Sequence, residues 1–268
     1  MNRYEEAFKK VKSRNEMAFI PFAVAGDPDP EIFQSIVDAY IRGGADILEI
    51  GYPFSDPVAD GPVNQRASIR AIASGLNHKS FFSSIKKIRS RTEIPIGLLL
   101  YYNTINFLGE DEFCRLAAGA GIDSLLVADM PPEESDSLQK AMRKYGIGRV
   151  FIVTEFTSAE RMKYICNHVD SFVYVVSRPG TTGTGSELSS TVEDTIKRLK
   201  SVSSIPAAVG FGISTPDHVR EVRRSGADGA IVGSALVNEI EKAVLKGKNP
   251  SAVLKKKVSE YKAATKLG

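Results

Sequence analysis

Short apolar runs alternate with helical stretches eight times along this chain, and few architectures accept that rhythm. The apolar runs read as strands over 19–25, 47–51, 96–101, 124–128, 150–154, 172–176, 207–210 and 229–232. Helical patterns lie between them, over 30–43, 110–119, 133–144, 159–167 and 216–225. Two more, 62–74 and 78–91, follow the second run, so that connection is enlarged. Strands that are apolar nearly throughout are buried on both faces, as in a parallel sheet covered by helices. Eight such units favour a closed (β/α)8 barrel, the TIM barrel, over an open doubly wound sheet. No Pro/Ser-rich linker divides the 268 residues, so the expectation is a single domain over 1–268. The charged, amphipathic segment 1–12 lacks the apolar stretch of a secretion signal and reads as an extra N-terminal helix covering the barrel bottom.

Three helices end in related phrases: Gly43-Gly44-Ala45-Asp46, Gly119-Ala120-Gly121-Ile122-Asp123 and Gly226-Ala227-Asp228. Each sets glycine where the helix stops and an acid just before the next strand.

Against this frame one stretch stands out, Leu48-Glu49-Ile50-Gly51-Tyr52-Pro53-Phe54-Ser55-Asp56-Pro57-Val58-Ala59-Asp60-Gly61. Side chains alternate along a strand, so Leu48 and Ile50 face the helical layer while Ile47 and Glu49 point into the barrel. Burying a carboxylate is costly. A lumen arginine or lysine paired with Glu49 would be the purely structural explanation, but no strand supplies an inward cation. Asp60 returns at the far end of a loop stiffened by Pro53 and Pro57. Alone, Asp-Gly is an ordinary turn signal. Together, Glu49 and Asp60 read as an acid/base pair over one cavity.

In such barrels the chemistry sits where the strands end. Tyr101 and Tyr102 close the third strand, Asp129 follows the fourth and Tyr174 lies within the sixth. The last three units end in glycine-rich segments at 177–185, 209–214 and 232–235. Glycines let backbone N–H groups approach an anion, and helix N-termini add partial positive charge, so the expectation is a phosphorylated ligand. The Gly/Thr-rich segment after the sixth strand has the composition of a mobile lid, and equally that of a surface loop with no gating role.

Other chemistries find less support. The strands hold no lysine for a Schiff base. His78, His168 and His218 are scattered, which argues against a metal site, and no Gly-x-Ser-x-Gly elbow marks a serine nucleophile. Cys114 and Cys166 have neither disulfide nor ligand spacing and read as reduced thiols of a cytoplasmic protein. Lys+Arg 35 against Asp+Glu 32, with the signs interspersed, argues against a nucleic-acid surface, and no apolar run is long enough to span a membrane.

These residues resemble the tryptophan synthase α-subunit family. The segment 48–61 is similar to that family's signature, and the likeness extends to Pro21-Phe22, Ala25-Gly26-Asp27-Pro28, Tyr101-Tyr102-Asn103, Ala128-Asp129, Ser177-Arg178 and Gly210-Phe211-Gly212-Ile213-Ser214. The resemblance implies aldol-type cleavage of indole-3-glycerol phosphate to indole and glyceraldehyde 3-phosphate. It implies Glu49 as catalytic glutamate, Asp60 as catalytic aspartate and Tyr174 as the tyrosine beside them. It also implies phosphate binding by Gly183, Gly212, Gly233 and Ser234, a lid threonine at Thr182, and an indole pocket of Phe22, Leu99, Leu100 and Leu126. Asn64 departs from it, standing where the family places an apolar residue near the indole end. Glu49, partly desolvated on an apolar strand, is expected to carry a raised pKa, and Asp60, in a polar loop, to stay ionised. The family works as an α2β2 assembly whose β subunit carries pyridoxal phosphate, so no cofactor is expected in this chain. The loop 53–60 and the segment around 178–188 are then expected near the partner. A sugar-phosphate isomerase would explain the glycines but not the Glu49/Asp60 pair. A free-standing lyase and a non-catalytic regulatory subunit are the other readings.

Overall fold

The computed structural model describes residues 2–176, 186–210 and 212–266. Its strands are β1 (Ala18–Val24), β2 (Leu48–Gly51), β3 (Ile96–Leu100), β4 (Ser124–Val127), β5 (Gly148–Arg149), β6 (Phe151–Thr154), β7 (Val173–Val176), β8 (Ala207–Gly210) and β9 (Gly229–Val232). Its helices are α1 (Arg3–Ser13), α2 (Pro30–Gly43), α3 (Pro62–Ala73), α4 (His78–Arg89), α5 (Tyr102–Leu108), α6 (Glu110–Ala120), α7 (Asp136–Tyr145), α8 (Ala159–Cys166), α9 (Ser186–Val202), α10 (Pro216–Arg224), α11 (Ser234–Val244) and α12 (Ser251–Ala263).

All strand pairings are parallel, and β1 pairs with both β2 and β9, which brings the ends of the sheet together. β5 and β6 are two halves of one stave. β5 pairs with β4, β6 pairs with β7, and between them the Val150 amide donates to the Leu125 carbonyl at 3.1 Å. The nine strands therefore make the eight staves of a TIM barrel, as expected from the sequence. The fifth stave begins at Gly148, two residues earlier than its apolar run.

Alternation along each stave sorts the core into two layers. In β2, Leu48 and Ile50 join the layer between barrel and helices, with Phe19, Leu98 and Leu100 from neighbouring staves. Ile47 belongs to the lumen with Ile20, Leu126, Val150, Phe172, Tyr174, Ala208 and Ile231. The first helix closes this lumen from below. Tyr4, Phe8 and Val11 of α1 are buried in it, and the Tyr4 hydroxyl meets Ser124 Oγ at 2.7 Å. Asn2 and Glu5 form a reciprocal capping box that starts the helix.

The acids that precede the strands have a shared task. Asp46, before β2, accepts the Phe19 amide of β1 at 2.8 Å. Asp123, before β4, accepts the Ile96 amide of β3 at 2.7 Å. Asp170, before β7, accepts the Arg149 amide of β5, and Asp228, before β9, accepts the Ala207 amide of β8 at 3.0 Å. Each even stave thus brings a carboxylate that satisfies an N–H among the first two residues of the odd stave before it, at the rim of the ladder. The glycines ahead of three of these acids, Gly44, Gly121 and Gly226, have positive φ and let the helix end turn sharply.

Charge completes the bottom rim. Asp123 also accepts Arg3 and Arg89, and it is largely buried, whereas Asp228 is more exposed and meets only Lys200. Removing a carboxylate that holds both a strand amide and a half-buried guanidinium strands more polar groups. Asp123→Ala is therefore expected to lower unfolding free energy by roughly 2–4 kcal/mol, and Asp228→Ala by about 1–2 kcal/mol. Urea titrations of the two variants check the order as well as the size.

Candidate active site

At the opposite rim the strand ends surround a cavity of about 430 Å³. Glu49 of β2 and Asp60 of the following loop both line it. The walls come from Phe22, Leu99, Leu126, Ala128, Ile152, Tyr174, Val176 and Ile231, and one side is formed by Gly212, Gly233 and Ser234. Inward positions two apart on several staves thus build one apolar chamber with two acids in it.

Glu49 is 5% exposed, and no ion pair reaches it among the described residues. Burial, reinforced by the charge of Asp60, raises its pKa to about 8. Asp60 is set differently. Burial raises it too, so its surroundings are drier than a polar loop implies, but hydrogen bonds from the Tyr101 hydroxyl and the Asn64 amide pull it back. Tyr101 follows β3 directly, is buried, stacks on Phe54 and accepts the Ala59 amide at 3.0 Å. Gln65 Nε2 donates to the Asp60 carbonyl at 2.9 Å. The acid-bearing loop is fastened at both sides, by the end of β3 and by the first turn of α3.

Tyr174 lies fully buried beside the acids, which together with burial push its phenol well above the ordinary range. Its ring crosses β8 at Gly210, where a Cβ would fall 2.2 Å from the tyrosine oxygen. Glycine there is what lets the ring occupy the lumen.

Behind the cavity, Arg70 of α3 holds both oxygens of buried Asp27 at 2.7 and 3.0 Å and reaches Glu241 of α11 at 2.9 Å. Arg66 adds a bidentate pair to the same Glu241. This network locks α3, whose first turn follows Asp60, against α11, whose first residue is Ser234. The acid pair and the glycine side are thereby held in fixed relation.

Of the residues singled out from sequence, Glu49, Asp60, Tyr174, Phe22, Leu99, Leu126, Gly212, Gly233 and Ser234 come together at this cavity. Leu100 does not. It is buried in the outer layer against the helices, because its neighbour Leu99 faces inward and adjacent strand residues cannot share a face. Gly183 and Thr182 lie outside the described residues. Sequence reading missed Ala128, Ile152, Val176 and Ile231, although the two-residue period continued from Leu126 and Tyr174 marks two of them. It named Tyr101 as a strand end without tying it to Asp60, since that contact depends on the path of a loop. Cys114 and Cys166 are free and buried, and no cluster of potential metal ligands occurs among the described residues.

A sequence model of the family described as Tryptophan synthase alpha chain matches residues 8–266. The chain is 46% identical over 267 residues to the tryptophan synthase alpha chain of Methanoregula boonei, covering 98% of each. This chain belongs to the tryptophan synthase alpha chain family. Its fold is similar to the crystal structure of tryptophan synthase subunit alpha from Legionella pneumophila, with a TM-score of 0.90 and 36% identity over 99% of this chain and 98% of that one. It is also similar to a chain of the Mycobacterium tuberculosis tryptophan synthase in an aminoacrylate- and BRD0059-bound form, with a TM-score of 0.87 and 29% identity over 100% and 99%. As a tryptophan synthase alpha chain it is a lyase of tryptophan biosynthesis that cleaves indole-3-glycerol phosphate to indole and glyceraldehyde 3-phosphate. No helix among the described residues is long and apolar enough to cross a membrane.

The raised pKa of Glu49 has a consequence for stability. The folded state keeps this proton up to about pH 8 while the unfolded chain releases it near the ordinary glutamate value of 4.5. Between those limits the folded state binds more protons, so the contribution of Glu49 to stability falls as pH rises. Glu49→Gln removes that penalty. The variant is expected to gain roughly 4 kcal/mol over the parent at pH 9 relative to pH 5, read from Tm and denaturant midpoints at the two values.

Proposed function

We propose that this chain works as one barrel domain in which Glu49 is the proton-transfer catalyst and Asp60 the acceptor for the indole ring. The observation that carries this reading is a pair of carboxyl groups lining one largely apolar cavity, both raised in pKa by burial, one to about 8 and the other opposed by hydrogen-bond donors. Two titratable groups whose surroundings separate their protonation behaviour are suited to opposite acid/base tasks.

The bond to be broken joins indole C3 to the glycerol chain. Glu49, protonated at neutral pH, delivers its proton to C3, and the ring becomes an indoleninium with positive charge on its nitrogen. Asp60 as carboxylate accepts the ring N–H and stabilises that charge. The Glu49 carboxylate just formed takes the proton of the adjacent glycerol hydroxyl. The C–C bond then breaks, the hydroxyl carbon becomes the aldehyde of glyceraldehyde 3-phosphate, and the bonding electrons return to the ring as indole. Glu49 ends protonated, as it began. Each such transfer contributes about 10²–10⁴-fold in rate.

Phe22, Leu99 and Leu126 flank the ring, and Tyr174 packs beside both acids. Gly212, Gly233 and Ser234 receive the phosphate, with the start of α11 adding its partial positive charge. Gly183 and Thr182 belong to the same reading as phosphate contact and lid.

The partner is a β subunit in an α2β2 assembly that carries the pyridoxal phosphate and consumes the indole, and the enzyme works in the cytoplasm. Exposed apolar side chains support a docking face at this rim. Val58 on the acid-bearing loop and Phe107 on α5 are 75% and 76% exposed. Phe107 stacks on His78, which bonds the Tyr52 hydroxyl at 2.9 Å, so the two lie on the same side of the barrel mouth. Size-exclusion chromatography with a cognate β subunit tests the assembly. Co-elution at micromolar concentration is expected, and separate elution would count against it.

Two measurements test the catalytic roles. Glu49→Gln is expected to reduce indole formation by at least about 10³-fold while binding of glycerol phosphate persists; normal turnover would remove Glu49 from the mechanism. In the parent enzyme, kcat/KM is expected to fall as pH rises through about 8, where Glu49 loses its proton.

A further inference from the structure

The pair Ala128-Asp129 follows β4 directly, and the cavity accounts for its first residue alone. Ala128 lines the chamber, whereas Asp129 is exposed at the rim. Its carboxylate is nevertheless engaged. Asp129 Oδ1 accepts the Tyr102 amide at 2.8 Å, reaching from the turn after β4 to the first residue of α5. That amide belongs to the open end of a helix, and Tyr101 at the N-cap offers it no side-chain acceptor.

The residue before Asp129 completes a clamp. The Ala128 amide donates to the Leu100 carbonyl at 2.9 Å. This carbonyl lies in the peptide before Tyr101, and the Tyr102 amide lies in the peptide after it. Each peptide is a rigid plane, so fastening both planes to two consecutive residues of the neighbouring stave sets φ and ψ of Tyr101. The turn that carries Asp129 is itself closed, with the Met130 amide donating to the Val127 carbonyl at 3.3 Å. The side chain held in this way reaches the acid-bearing loop. The Tyr101 ring stacks on Phe54 with centroids 5.1 Å apart, and its hydroxyl accepts the amide of Ala59, the residue before Asp60, at 3.0 Å. Burial first, then the charges of Asp60 and Asp129, push this phenol up to about 12, so at neutral pH the Ala59 amide meets an intact hydroxyl.

We propose that Asp129 is a positioning residue for the cleavage: by fixing the backbone of Tyr101 it fixes the hydroxyl that holds the loop bearing Asp60. Asp129 serves the reaction in this way only if Asp60 accepts the ring N–H, the reading on which this role rests. Its contribution is an acceptor oxygen at one place rather than a charge. A reacting group displaced by about 1 Å can lose about 10²-fold in rate, so a contact remote from the chemistry can matter to it.

The test uses the full chain and four variants: Asp129→Ala, Asp129→Asn, Tyr101→Phe and the double variant of Asp129→Ala with Tyr101→Phe. Hydrogen exchange of the Ala59 backbone amide, followed by NMR, reads the clamp directly. Asp129→Ala and Tyr101→Phe are each expected to speed it at least about fivefold, while Asp129→Asn, whose amide oxygen still accepts, stays within about twofold of the parent. Indole formation from indole-3-glycerol phosphate reads the consequence. Asp129→Ala is expected to lower kcat about tenfold with binding of glycerol phosphate unchanged, and Asp129→Asn to recover most of that loss. The double variant is expected to be no slower than Tyr101→Phe, because both substitutions break one path. Parent-like exchange at Ala59 or an unchanged kcat in Asp129→Ala overturns the proposal. So does an additive double variant, an Asp129→Asn variant as slow as Asp129→Ala, or a loss of glycerol phosphate binding in step with kcat. The exchange measurement needs no turnover. If Asp60→Asn were to keep full activity, the ring-acceptor reading would fall while the clamp was still decided at Ala59.

Discussion

The structure depends on keeping one carboxyl group inside a barrel lumen without a cation. Glu49 occupies an inward position of β2, where an apolar residue would be cheaper by the full desolvation cost of an acid. Among the described residues no guanidinium or ammonium offsets this cost. The carboxyl is tolerated by holding its proton, which is the state that a proton donor needs. The same burial that weakens the fold at high pH creates the reagent, and the apolar walls around Leu99, Leu126, Ile152 and Ile231 are part of the catalyst in that sense.

Acids at the two rims of the barrel are treated in opposite ways. At the bottom, Asp46, Asp123, Asp170 and Asp228 each receive a strand amide, and each also pairs with a lysine or arginine. Each carboxylate there thus has both an amide and a cation to receive, and none is left without a donor. At the top, among the described residues, no cation pairs with Glu49, and a phenol and an amide oppose the burial of Asp60. The barrel thereby separates stability from chemistry along its axis, and substitutions at one rim can be read without reference to the other. The Asp27–Arg70–Glu241 cluster is the exception, a fully paired group at the working end. It serves to hold α3 and α11 together behind the cavity.

Much of this was legible from residue order. The two-residue period along β2 placed Ile47 and Glu49 inward and Leu48 and Ile50 outward, and the glycine–acid phrases marked where helices stop and strands begin. Glycine at a C-cap and an acid before a strand are local signals, so they survive without tertiary knowledge. The same period also corrects the reading of Leu100: a pocket that uses Leu99 cannot use its neighbour. What sequence could not supply was the path of the loop from Tyr52 to Gly61. That path brings the Ala59 amide to the Tyr101 hydroxyl and Asp60 beside Asn64, contacts made across 42 residues in one case and four in the other. The interruption of the fifth stave at Val150 was likewise hidden, because an apolar run looks alike on either side of a kink.

Two carboxyl groups sharing one apolar-walled cavity would ordinarily behave alike, each raised by burial and each opposing the charge of the other. If both were protonated, no acceptor would remain for a ring N–H; if both were ionised, no proton donor would remain for carbon. Among the described residues, neutral donors rather than charges distinguish the two acids. Burial raises both acids, but among the described residues only Asp60 has the hydrogen-bond donors Tyr101 and Asn64 opposing that rise. A lysine or arginine in the cavity could have ionised Asp60 more strongly, but its field would also have lowered Glu49 and removed the proton that the first step consumes. Neutral donors act at contact range only, so they can tune one acid in a shared chamber without disturbing its neighbour.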